Sequence, residues 1–177
     1  MLRKLCLLLA VSLVPADVCL AQTPYAGLQT RSIKALSDQQ IADLREGRGM
    51  GLALPAELNG YPGPAHLLEL ADQIGLSDSQ RSAIQLLFNA MKAETIPLGE
   101  RLIGQEATLD GLFSTHHATE ENVAAATAEI GATQAKLRAA HLKYHLSTLA
   151  LLQPERIQRY AQLRGYGGGD HHHHHEH

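Results

Sequence analysis

The chain has 177 residues, with 15 basic and 18 acidic side chains and a formal charge of −3. That length suits a single domain, and the acidic balance argues against a nucleic-acid footprint. There is no Trp and there are only 2 Phe, so the core must come from Leu, Ile, Ala and a few Met and Tyr, which suits slender helices packed side by side.

The first predicted element is "MLRKLCLLLAVSLVPADVCLA", residues 1–21. Arg3 and Lys4 precede an apolar run from Leu5 to Val14, and small residues follow at Cys19 and Ala21. This is the layout of a secretory signal peptide cleaved after Ala21. The run is short for a membrane-spanning helix, which leaves a retained anchor as the alternative. Lipidation at Cys19 is disfavoured by the bulky Val18 before it. Export, with the periplasm as destination, is therefore the expectation. Both cysteines, Cys6 and Cys19, lie inside this segment. A mature chain would have no disulfide and no thiolate chemistry. Loss of Arg3, Lys4 and Asp17 leaves 13 basic against 17 acidic residues, a charge of −4.

Residues 22–63 read as an N-terminal arm with short helices, of which 22–36 have no clear period and suit an extended or mobile segment. Ser37 with Gln40 three residues on forms a capping-box pattern, and the helix it opens should stop near Glu46 and Gly47. "GRGMGLALPAELNGYPGP" follows, too rich in Gly and Pro for a long element, with a short helix expected within 52–58. Pro64 opens a helix over about 64–74 that Gly75 ends.

Ser77 and Gln80 make a second capping box at the start of the longest predicted helix. Ile84, Leu87, Phe88, Met91, Leu98, Leu102, Leu109, Leu112 and Phe113 recur close to helical spacing, and Pro97 predicts a kink. "STHHATEEN" is a turn, whose His116 and His117 read as solvated. Thr119 then caps a helix over about 120–151. In it Val123, Ile130, Leu137, Tyr144 and Leu151 repeat every seven residues, with Ala126, Thr133, Ala140 and Ser147 between them. That is a coiled-coil-like seam. Pro154 opens a last helix that Gly165 stops. The short turn makes the two long helices antiparallel neighbours, with His141 level with Lys92 and His145 level with Phe88. The fold class is all-α, a long bent antiparallel hairpin with shorter flanking helices.

His141 and His145 carry the main candidate chemistry. Four residues apart, they share one helix face at a spacing that can hold one metal ion. By the heptad count His141 flanks the seam and His145 lies further out, so two surface histidines are the competing reading. Further ligands would come from Met91 and Glu94 at the same level, or from His66 folding back. Imidazole suits Zn, Cu, Ni and Co, and a thioether favours Cu(I). The tail from residue 166 onward, a Gly-rich spacer followed by "DHHHHHEH", places His171, His172, His173, His174, His175 and His177 on a tether that would scavenge metal by composition. The run is broken by Glu176 and has no standard linker, which favours a native tail over a purification tag. No G-x-S-x-G, phosphate loop, H-E-x-x-H or C-x-x-C-H occurs, so an enzyme is not expected.

"LSDSQRSAIQLLF" and "LLQPERIQRYAQL" resemble the two L-T-x-x-Q motifs of the Spy/CpxP family of exported all-α proteins. Leu76-Ser77-Asp78-Ser79-Gln80 matches the first motif with Ser for Thr. Leu152-Gln153-Pro154-Glu155-Arg156 keeps the leucine and the Pro-Glu pair of the second. The resemblance covers about residues 64–165, and "GRGMGLALPAELNGYPGP" is similar to the periplasmic heavy-metal sensor branch, of CnrX and ZraP type. It implies a homodimer of hairpins without enzymatic activity, binding transition metal through helix histidines and reporting metal stress to a membrane-bound signalling protein. In that branch a second His or Met pair, or a carboxylate, completes the site, and no second H-x-x-x-H/M pair occurs before the tail. The family's other role, an ATP-independent chaperone for unfolded periplasmic clients, is the alternative.

Overall fold

The computed structural model describes residues 25–166. The predicted signal peptide and the tail histidines lie outside these residues. Residues 25–30 are the described part of a separate unit, a turn in which Leu28 N donates to Tyr25 O at 3.1 Å, followed by a short 3-10 helix, Leu28–Thr30. From Arg31 onward the described residues form one all-α unit. Its helices are α1 (Asp38–Arg45), α2 (Leu54–Glu57), α3 (Pro64–Glu69), α4 (Asp78–Ser114), α5 (Glu120–Leu149) and α6 (Pro154–Leu163). No strand occurs among the described residues, and Ile33 and Leu36 make an isolated bridge.

The helix starts follow local chemistry. Ser37 and Ser77 each accept from the backbone N–H three residues on, and Gln40 and Gln80 reach back to close both capping boxes. Thr119 does the same with Asn122. These reciprocal bonds satisfy backbone donors that a bare helix end leaves open. Pro64 and Pro154 open α3 and α6, where a missing N–H costs nothing. The predicted third helix is shorter than expected: α3 ends at Glu69 and the chain continues in turns to Gly75.

Helices α4 and α5 pack as the hairpin. α4 is assigned as one uninterrupted helix through Pro97. Two hydrophobic clusters lie along the hairpin. One joins Ile33, Leu36 and Leu44 to Leu102, Ile103, Ile130 and Leu137. The other joins Leu67, Ala71, Ile74 and Leu76 to Ile84, Leu152 and Tyr160 at the open end. Ile33 and Leu36 are buried, so the end of the segment expected to be extended or mobile packs into the core. α1 crosses α4 at Gly99, where a β-carbon would stand 2.4 Å from Leu44 O. Any side chain there would push the helices apart.

Between the two clusters the hairpin buries polar groups: Thr95, His141, His145 and Thr148. The threonines satisfy themselves, Thr95 Oγ1 on Met91 O at 2.9 Å and Thr148 Oγ1 on Tyr144 O at 2.6 Å. The histidines find no partner on their own helix, and the candidate site is this layer.

Candidate functional site

The stretch from Gly47 to Gly63 lies against this polar layer. At Gly49 a β-carbon would stand 3.7 Å from His141 Nδ1, and at Gly63 it would stand 2.8 Å from His145 Nε2. Backbone without side chains therefore approaches both rings. This makes His141 only 2% exposed and His145 only 7%. The reading of two surface histidines, with His145 further out than the seam, is overturned. The heptad count considers one partner helix, and here a third layer covers the flank.

The two rings differ in their bonding. His145 Nδ1 lies 2.6 Å from Tyr61 O. A carbonyl only accepts, so Nδ1 carries the proton and the neutral ring keeps its lone pair on Nε2. His141 Nε2 is buried with no hydrogen-bond partner among the described residues. Burial, and then the neighbouring His145, push the His141 pKa below the ordinary histidine value. The neutral form, which is the ligating form, is thereby favoured.

His145 also lines a cavity of about 490 Å³, together with Met50, His66, Phe88 and Met91. Met91 is 6% exposed and approaches from α4. His66 shares this wall, but its Nδ1 is 3.0 Å from Glu69 Oε2. Glu94 is not on the cavity wall. It pairs with Lys143 and accepts from Tyr144 OH at 3.1 Å, and Lys143 beside it holds its carboxyl below the usual range. The structure thus brings His145, Met91 and His66 to one cavity with His141 one turn from His145, and engages Glu94 elsewhere. Among the described residues no three His, Cys, Asp or Glu side chains come together as a group that could hold a metal ion. A metal bound here would rest on two imidazoles and non-acidic neighbours.

Behind His145 sits a buried carboxyl that the sequence reading missed. Glu57, at the end of α2, is 6% exposed. It accepts from Tyr160 OH, from Tyr166 OH at 3.2 Å and from Gly63 N at 3.2 Å. Arg164 Nε and His145 Nδ1 each lie 3.8 Å from it. Burial, and then the bond to Glu57, raise the Tyr160 pKa far above the ordinary tyrosine value. The available signal was a lone acid in a Gly/Pro-rich stretch, which periodicity cannot place.

The two predicted motifs also meet. Gln80 Nε2 donates to Leu151 O at 2.9 Å, and Arg156 donates back to Gly75 O. No described protein family, no curated protein and no solved structure matches the chain.

Proposed function

We propose that this chain is an exported protein that binds a transition-metal ion, Zn, Cu, Ni or Co, through His141 and His145, as a sensor or buffer in envelope metal stress. The observation that carries the reading is the bare Nε2 of His141, buried one helical turn from His145. A buried nitrogen left without a partner costs about 1–3 kcal/mol. A cation that takes its lone pair supplies the partner. Tyr61 O supports the same use of His145, because a metal-ligating imidazole characteristically donates its other N–H to a carbonyl or carboxylate. Met91 is the best placed of the remaining candidates, and the tail histidines would feed the site. The reciprocal contact of Gln80 with Leu151 and Arg156 with Gly75 supports the Spy/CpxP-type reading of the hairpin.

The tail would mask the site in any titration. The test therefore uses the full chain with His171→Ser, His172→Ser, His173→Ser, His174→Ser, His175→Ser and His177→Ser, the tail-silent chain. In calorimetric titrations with Zn, Cu, Ni and Co, His141→Ala and His145→Ala should each weaken binding by about tenfold or more. Equal affinity in the parent and both variants would contradict the reading.

A further inference from the structure

The described residues contain two methionines, Met50 and Met91, and both line the cavity that His145 lines. We infer that the ion this cavity suits is Cu(I), a soft monovalent cation, taken by His145 together with the thioethers of Met91 and Met50, with His141 one helical turn from His145. The inference rests on the metal-binding reading above and names the cation for it.

Three observations lead there. The carboxylates of the cavity wall are already engaged: Glu57 by Tyr160 and Tyr166, Glu69 by His66, and Glu46 by Arg48. Oxygen-preferring cations would have to break these pairs, whereas thioether and neutral imidazole suit Cu(I). The same wall also holds Arg48, Lys92 and Arg164. Arg48 and Arg164 lie against Glu46 and Glu57, so the wall carries no excess of negative charge that would favour a divalent ion over a monovalent one.

The third observation is the backbone at Met50. It has a φ of 42°, in the left-handed region, between Gly49 and Gly51. A non-glycine residue there costs about 1–2 kcal/mol. Core packing does not repay that cost, since Met50 is 41% exposed. A glycine would remove the strain, so what the position gains from methionine is its side chain on the cavity wall. Gly49, the residue before it, lies against the His141 ring. The turn therefore puts Met50 on the cavity wall directly after the residue that packs on the His141 ring.

The test is anaerobic competition of the tail-silent chain against the Cu(I) chelator bathocuproine disulfonate, with Zn(II) and Co(II) titrated in parallel. Parent protein should hold Cu(I) more tightly than either divalent ion. Met50→Leu and Met91→Leu are volume-conserving changes. Each should weaken Cu(I) by about tenfold or more, as loss of a ligand does, and change Zn(II) or Co(II) binding by less than about twofold. Met50 is a surface position, so its variant reports even if Met91→Leu disturbs packing. Cu(I) affinity unchanged in Met50→Leu and Met91→Leu, or tighter binding of Zn(II), overturns the inference. If His141→Ala still abolishes binding in that case, the metal-binding reading stands without copper. A tail-silent chain that binds none of the three ions overturns both.

Discussion

His145 Nδ1 stands 2.6 Å from the backbone carbonyl of Tyr61, on the stretch between α2 and α3. One contact thereby fixes the ring's orientation, its tautomer and the position of the covering segment. Gly63, two residues on, brings its backbone close enough that a β-carbon would stand 2.8 Å from His145 Nε2. The ring and the chain that encloses it are thus positioned by the same three residues, and the same Nδ1 lies 3.8 Å from Glu57 of the buried network.

That network should carry a sizeable part of the stability of the covering segment. Tyr160→Phe removes a hydrogen bond to a buried carboxyl, worth about 1.5–3 kcal/mol when the acceptor is charged. The variant should lower the thermal midpoint by several degrees. Glu57→Ala, which strands the hydroxyls of Tyr160 and Tyr166 and the Gly63 N–H, should cost more. Glu46→Gln, at an exposed carboxylate, is the control and should stay within about 0.5 kcal/mol. Urea unfolding followed by circular dichroism measures all three, and a Tyr160→Phe midpoint equal to that of the parent would refute the role given to the network.

The depressed pKa of His141 makes a pH prediction for metal-free protein. Above the unfolded-state value of about 6.5 the ring is neutral in both states and the folded chain has its full stability. As pH falls below that value, the unfolded chain takes up a proton that the buried ring refuses, and stability drops until the folded ring titrates as well. Urea midpoints should therefore decline from pH 7.5 to pH 5. The carboxylates held below their usual range, at Asp43 and Glu94, lose stability only at lower pH. In His141→Leu the decline over this window should be shallower. An identical slope in parent and variant would show that His141 is not the group responsible.

The ends of the hairpin were legible in the sequence because caps are local: Ser77 with Gln80, and Thr119 at the start of α5, decide them within one turn. The burial of His141 and His145 was not, because the heptad seam at Ile130, Leu137 and Tyr144 describes contact with a single helix. After Tyr144 the buried position is Thr148, where the heptad places Ser147. A helix of 3.6 residues per turn drifts from a seven-residue repeat, and the drift turns both histidines toward the segment from Gly47 to Gly63. That segment has no period to read, so Glu57, Tyr61 and Met50 escaped the reading, while Met91, on a regular helix, did not. Ile33 and Leu36 were missed for a related reason, since two apolar residues without a helix around them carry no pattern.

The most direct measurement of the central claim is ring-nitrogen NMR on the tail-silent chain labelled with ¹⁵N-histidine, before and after one equivalent of Cu(I) or Zn(II). Before metal, His145 should show a protonated Nδ1 and a bare Nε2. On addition, the Nε2 resonances of His141 and His145 should move together, with His145 Nδ1 keeping its proton against Tyr61 O. Resonances of His141 and His145 that stay in place while only those of His66, His116 and His117 move would contradict the account.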